Sequence, residues 1–125
     1  MIVIDGVTYN VGILTPIARK AEFLDKYAER TEDGKLHREL IGVYFNYEMR
    51  FDPEVGSAAE YAALYLKITE PVPFHTVTLW DSLGPYTFTA YISGVTDELN
   101  RIRGAEVFWT NLVVHFIAES PARTP

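Results

Sequence analysis

Apolar and polar residues alternate with a period of two over most of this chain, and with a helical period in one stretch. Ile2, Val3 and Ile4 precede Asp5-Gly6, and Val7-Thr8-Tyr9-Asn10-Val11 follow. Asp-Gly between β-formers predicts a two-residue hairpin, because a type I′ turn needs positive φ at both central positions. Gly12 and Pro16 then break the pattern. A second Asp-Gly, Asp33-Gly34, precedes a stretch from Lys35 to Phe51 that is interrupted only by Gly42 and is rich in β-branched and aromatic residues: Ile41, Val43, Tyr44, Phe45, Tyr47 and Phe51. That composition predicts one long strand.

The stretch before that turn, Ile17 to Arg30, reads two ways. Thr15-Pro16 resembles an N-cap with Pro at the first helical position, and Glu22/Lys26 and Lys26/Arg30 lie at helical spacing. As an outgoing strand, it would set Glu32 opposite Lys35, Arg30 opposite His37, Glu29 opposite Arg38 and Tyr27 opposite Leu40. Two of these pairs join opposite charges. The hairpin is narrowly favoured, because so long a following strand needs a partner.

Residues 57 to 69 carry the helical signal. Ser57-Ala58-Ala59-Glu60 is a capping box, and Tyr61, Leu64, Tyr65 and Ile68 form an apolar stripe that ends at Glu70-Pro71. Beyond it, Phe74 to Leu79 reads as a strand, Asp81 to Pro85 as a turn, and Tyr86 to Ile92 as an alternating strand. Asp97 to Gly104 reads as a polar connection with room for one helical turn. Glu106 to Ala118 is a long final strand with Phe108, Leu112, Val114 and Phe116 on one face and Trp109, Val113 and Ile117 on the other. Apolar residues on both faces predict a central strand, or one covered by another chain. Residues 120 to 125 form an extended tail.

The chain has 125 residues, 48% of them apolar, which fits one domain able to bury a core. It has no Cys, which excludes disulfides, Cys-ligated metals and a thiol nucleophile. A net charge of -6 disfavours general binding to nucleic acid or anionic membrane. No leader is evident, and no run approaches the roughly 20 apolar residues of a membrane span. Between residues 19 and 39 the charges balance: Arg19, Lys20, Lys26, Arg30, Lys35 and Arg38 against Glu22, Asp25, Glu29, Glu32, Asp33 and Glu39. A neutral, mixed-charge arm suits either a solvated hairpin or one that interlocks with a neighbouring subunit.

Catalytic signatures are missing. His37, His75 and His115 are far apart in sequence and read as strand-surface residues; P-loop, GxGxxG and GxSxG patterns are absent. Glu48, Asp52 and Glu54 lack calcium-loop spacing and read as an ordinary acidic loop. No catalytic, cofactor-binding or metal-ligating residue is expected.

The order of elements, the Glu29-Arg30-Thr31-Glu32-Asp33-Gly34 turn and the final Trp109-x-x-Leu112-x-x-x-Phe116-Ile117-Ala118-Glu119 strand resemble small structural proteins of tailed phages and prophages. The set is that of tail-tube, distal-tail and baseplate components. The likeness covers residues 2 to 119 and favours strand over helix for residues 21 to 32. It implies a mainly β (α+β) domain over residues 1–125: an antiparallel β-sandwich or partial barrel with a long hairpin at about 17–51 and one flanking helix. It also implies assembly with copies of itself and other tail proteins into rings around a DNA channel, no catalysis, no membrane and no sequence-specific nucleic-acid binding. The virion tail is the implied location, after synthesis in the host bacterial cytoplasm. The aromatic Tyr44, Phe45 and Tyr47 depart from the family's texture.

On this reading residues 21 to 40 project beyond the domain. The polar tip from Thr31 to Lys35 cannot anchor in a core, while Tyr27, Leu36 and Leu40 can pack on a neighbour. The expected assembly contacts are Tyr27, Arg30, Glu32, Asp33, Gly34, Lys35, Leu36 and Arg38. The alternative is a small carbohydrate- or ligand-binding β-domain with Trp80, Tyr86 and Tyr91 as a stacking platform.

Overall fold

The computed structural model describes residues 2–9, 11–52, 58–81, 84–104 and 106–125. Its elements run β1 (Ile2–Ile4), β2 (Val7–Tyr9), β3 (Gly12–Arg30), β4 (Leu36–Asp52), α1 (Ala58–Ile68), β5 (His75–Asp81), β6 (Gly84–Arg103) and β7 (Glu106–Ala118). Among the described residues the fold is mainly antiparallel β with one helix, as the alternation predicts. The strands form one sheet in the order β2-β1-β5-β6-β7-β4-β3, and it does not close.

One face of the sheet builds the core. Tyr47, Met49 and Phe51 of β4 alternate inward beside Leu112, Val114 and Phe116 of β7, and all six are buried. Ile2, Ile4, Val77, Leu79 and Ala90 continue the layer across the sheet. Helix α1 covers it: Leu64 and Ile68 are buried, Tyr61 and Tyr65 pack against the cluster, and Leu66 faces solvent. The stripe at helical spacing is therefore the packing face. Tyr61 donates a hydrogen bond to Asp97 of β6, which ties the helix to the sheet. Burial and the adjacent carboxylate push this phenol well above its ordinary range. The expected N-cap Ser57 lies outside the described residues.

The final strand is central, between β6 and β4, as its two apolar faces require. Residues 17 to 30 are strand rather than helix. β3 starts at Gly12 and passes Pro16, although these residues were expected to interrupt it. The pairing with β4 shifts between Leu14 and Ala18, and β3 is an edge strand, where a missing N–H breaks no inner ladder.

Three further expectations need correction. The pairing beside Asp33-Gly34 lies one residue off the expected register: Arg30 faces Leu36, Glu29 faces His37 and Ala28 faces Arg38. Asp97 to Arg103 is strand, not a polar connection or helical turn; Glu98 faces Thr110 and Leu99 faces Trp109. His75 is 3% exposed and not a surface residue, whereas His37 and His115 are exposed as expected.

Candidate functional site

Two long ribbons extend from the sheet. Among the described residues, β4 pairs with β7 from Tyr47 to Phe51, and between Ala18 and Arg30 β3 pairs only with β4. The stretch from Gly42 to the tip is therefore a two-stranded ribbon, roughly 25 Å long at the rise of a strand. β6 and β7 form a second ribbon whose last rungs, from Glu98/Thr110 to Arg103/Glu106, have no third strand among the described residues. Tyr47 lies beside Phe116 and Phe51 beside Leu112. The first ribbon consequently leaves the sheet past the Ala118 end of β7, and the second past the Asp52 end of β4. The two point away from opposite ends of the sheet.

Both ribbons expose large apolar side chains. On the first these are Phe23 (59% exposed), Leu24, Tyr27, Leu36 (53%) and Ile41; on the second, Leu99, Ile102 (65%) and Trp109. Direct pairing puts Leu99 opposite Trp109 on the second ribbon. The sequence did not mark this second ribbon, because Asp97, Glu98, Asn100, Arg101 and Arg103 give it the composition of a loop.

The expected contact residues gather at the distal half of the first ribbon. Arg30, Glu32, Asp33, Gly34 and Lys35 sit at or beside the tip and are exposed, and Tyr27 and Leu36 stand just behind them. Arg38 is committed within the ribbon: its guanidinium pairs with Asp25 and lies 5.4 Å from the ring centroid of Phe23. Arg30 donates to the Gly34 carbonyl at 2.9 Å. Leu40 is only half-buried.

The tip has a defined geometry. Gly34 N–H donates to the Thr31 carbonyl at 2.9 Å, Thr31 N–H donates to the Lys35 carbonyl at 3.0 Å, and Gly34 has φ +81°. This is a three-residue loop closed by a left-handed glycine, not the expected two-residue type I′ turn. Asp33 explains the choice. Its carboxylate accepts the Thr31 hydroxyl and, at 3.0 Å, the Lys35 amide, a local arrangement that holds Asp33 outside the left-handed region. Those two donors also hold the Asp33 carboxyl below its usual value.

A cluster outside the ribbons went unseen in the sequence because its members are up to 70 residues apart. Asp5 Oδ2 meets His75 Nδ1 at 2.7 Å, Asp5 Oδ1 accepts the Thr76 amide at 2.8 Å, and the Lys67 ammonium reaches Asp5 at 3.3 Å and Glu70 at 3.2 Å. Partial burial pushes the Asp5 carboxyl up, but its bonds from His75, the Thr76 amide and Lys67 outweigh that and leave it below the ordinary value. Lys67 is held above its ordinary value, first by Glu70 and then by Asp5. Ligand-type atoms of Asp5, Glu70 and His75 lie within 4.8 Å of one another. Lys67 already supplies a cation between the two carboxylates, so a metal ion would have to displace it. The arrangement reads as a clamp joining the first turn, the end of α1 and the start of β5.

Glu70 and His75 also border an open cleft of about 460 Å³, with Phe74, Tyr91 and Ser93 on its rim. The suggested aromatic platform is not assembled there. Tyr86 lies on the inner side, stacked on Phe88 at 5.3 Å between centroids, whereas Trp80 and Tyr91 belong to the outer face, six rungs apart. No protein-family model matches the chain, and neither a curated protein nor a solved structure matches it.

Proposed function

We propose that this chain is a non-enzymatic structural subunit that assembles with copies of itself, or with related proteins, into a ring or tube of the kind that builds phage and prophage tails. The observation that carries the reading is the first ribbon. Among the described residues, its distal half rests on no other element, yet it exposes Phe23, Leu24, Tyr27 and Leu36. A two-stranded ribbon is marginal in water by itself, and apolar side chains along it gain free energy only when a partner covers them. Because the two ribbons leave opposite ends of the sheet, a contact between the first ribbon of one copy and the far end of the next is heterologous, and such contacts close into rings or continue as tubes. The balanced charge of residues 19 to 39 supplies register without self-repulsion. The tail setting itself comes from the resemblance in sequence texture.

Sedimentation velocity across a concentration series, with negative-stain imaging of the heaviest fractions, tests the reading. Rings or tubes that appear with concentration are the expected result. A chain that remains monomeric at the highest attainable concentration would overturn it.

A further inference from the structure

We infer that the edge of β4 at Gly42–Val43, which the chain's own C-terminal segment Pro121–Arg123 covers, is an exchangeable docking site, and that in the assembly this segment comes from a neighbouring copy. The inference rests on the assembling-subunit reading above and adds the contact that links one copy to the next. β7 stops pairing with β4 where the Ala118 amide donates to the Asn46 side chain at 2.9 Å rather than to a strand carbonyl. From there to the ribbon tip, among the described residues, β4 has a strand partner on one side only, apart from a single bridge. That bridge is the chain's own tail. Val43 N–H donates to the Arg123 carbonyl at 2.9 Å, and the Val43 carbonyl accepts the Ala122 and Arg123 amides at 2.8 and 3.3 Å.

The edge is shaped for this segment. A Cβ at Gly42 would lie 2.6 Å from the Pro121 Cβ and 3.1 Å from the Arg123 carbonyl oxygen, so only glycine lets the tail approach. The tail is also easy to release. Its hold on β4 is three backbone bonds, and Ala122 to Pro125 are exposed. Its root stays fixed, because the Glu119 amide donates to the Thr89 carbonyl at 2.9 Å. A hinge at the exposed Ser120 lets three residues swing across roughly 10 Å to the same edge of an adjacent copy. The bonds in the exchanged pairing equal those given up, so exchange costs only the advantage of an intramolecular partner, and ribbon contacts that hold two copies together remove most of that advantage.

The chain lacks Cys, so engineered thiols report the pairing cleanly. Copies carrying only Val43→Cys are mixed with copies carrying only Arg123→Cys under assembling conditions, oxidised mildly, and mapped by peptide mass spectrometry; the double variant is treated alongside. The expected result is a 43–123 disulfide between the two kinds of copy, and an intrachain one in dilute double variant. Adding Gly42→Val should lower the yield of both links about tenfold, as a wedge at a packed contact does. Assemblies in which only intrachain links form overturn the exchange but leave the assembling reading intact. A chain that stays monomeric while forming the intrachain link overturns both. Absence of any 43–123 link in the folded double variant overturns the docking site itself.

Discussion

The dipeptide Asp-Gly turns two hairpins, β1–β2 and β3–β4, which lie at opposite edges of the sheet, and the two copies fold differently. At Asp5-Gly6 both residues have positive φ, 50° and 82°, and Ile4 pairs directly with Val7 in a two-residue type I′ turn. At Asp33-Gly34 only the glycine does, and the loop takes in a third residue, Glu32. The difference lies in what each carboxylate finds. Asp5 is drawn to the Thr76 amide and the buried His75, partners on another strand that hold it in the left-handed region at a cost of roughly 1–2 kcal/mol. Asp33 has no such partner and satisfies itself with Thr31 and Lys35 next door. Identical local chemistry thus yields an anchored turn where tertiary structure reaches it and a self-contained turn where it does not.

Breaking the anchor should have the largest effect. Asp5→Ala strips the bonds to Thr76, His75 and Lys67, leaves a buried imidazole without its partner, and keeps a side chain at positive φ. The expected loss is about 2–4 kcal/mol of stability, read by chemical denaturation; a loss below about 0.5 kcal/mol would mean the clamp contributes nothing. The corresponding Asp33→Ala should leave the global transition nearly in place.

Acid should reveal the same asymmetry. The folded Asp5 carboxyl sits below its ordinary 3.8, so its contribution is complete above that value and is lost as pH falls through the lower folded value. As the Asp5 carboxyl is protonated, the stability gap between the wild type and Asp5→Asn should therefore shrink steadily below about pH 4. A gap that widens on acidification would contradict the assignment.

The two glycines make a matched pair. Gly6 and Gly34 have φ of 82° and 81°, and a Cβ at either meets nothing within 4 Å, so valine adds the same backbone strain at both. Gly6→Val should lower global stability by about 1–2 kcal/mol, because its turn is tied into the sheet. Gly34→Val should be relieved by local fraying of the tip, shifting thermal melting little while lowering the yield of oligomer. If Gly34→Val unfolds the whole domain, the ribbon belongs to the core and the comparison fails.

Ribbon side chains should affect the melt least. Tyr27→Ser and Leu36→Ser remove exposed groups, so stability should change by no more than about 0.5 kcal/mol. Sedimentation should show weaker association for both. Unchanged association would place the assembly contact elsewhere.

The sequence determined what depends on neighbours along the chain. Alternation marked the strands, 3.6-residue spacing placed Leu64 and Ile68 in the core, and apolar residues on both faces put β7 in the middle of the sheet. Asp-Gly correctly placed both turns. Tertiary structure decided what depends on distant partners. His75 is buried because Asp5, 70 residues earlier, receives it. Asp97 to Arg103 is strand because β7 offers a ladder to residues with loop composition. The register beside Asp33 moved by one residue because a carboxylate with no long-range partner bonded locally and lengthened the loop. Periodicity reports which face a residue shows. It does not report which remote donor will meet a side chain, and that meeting set the turn, the clamp and the second ribbon.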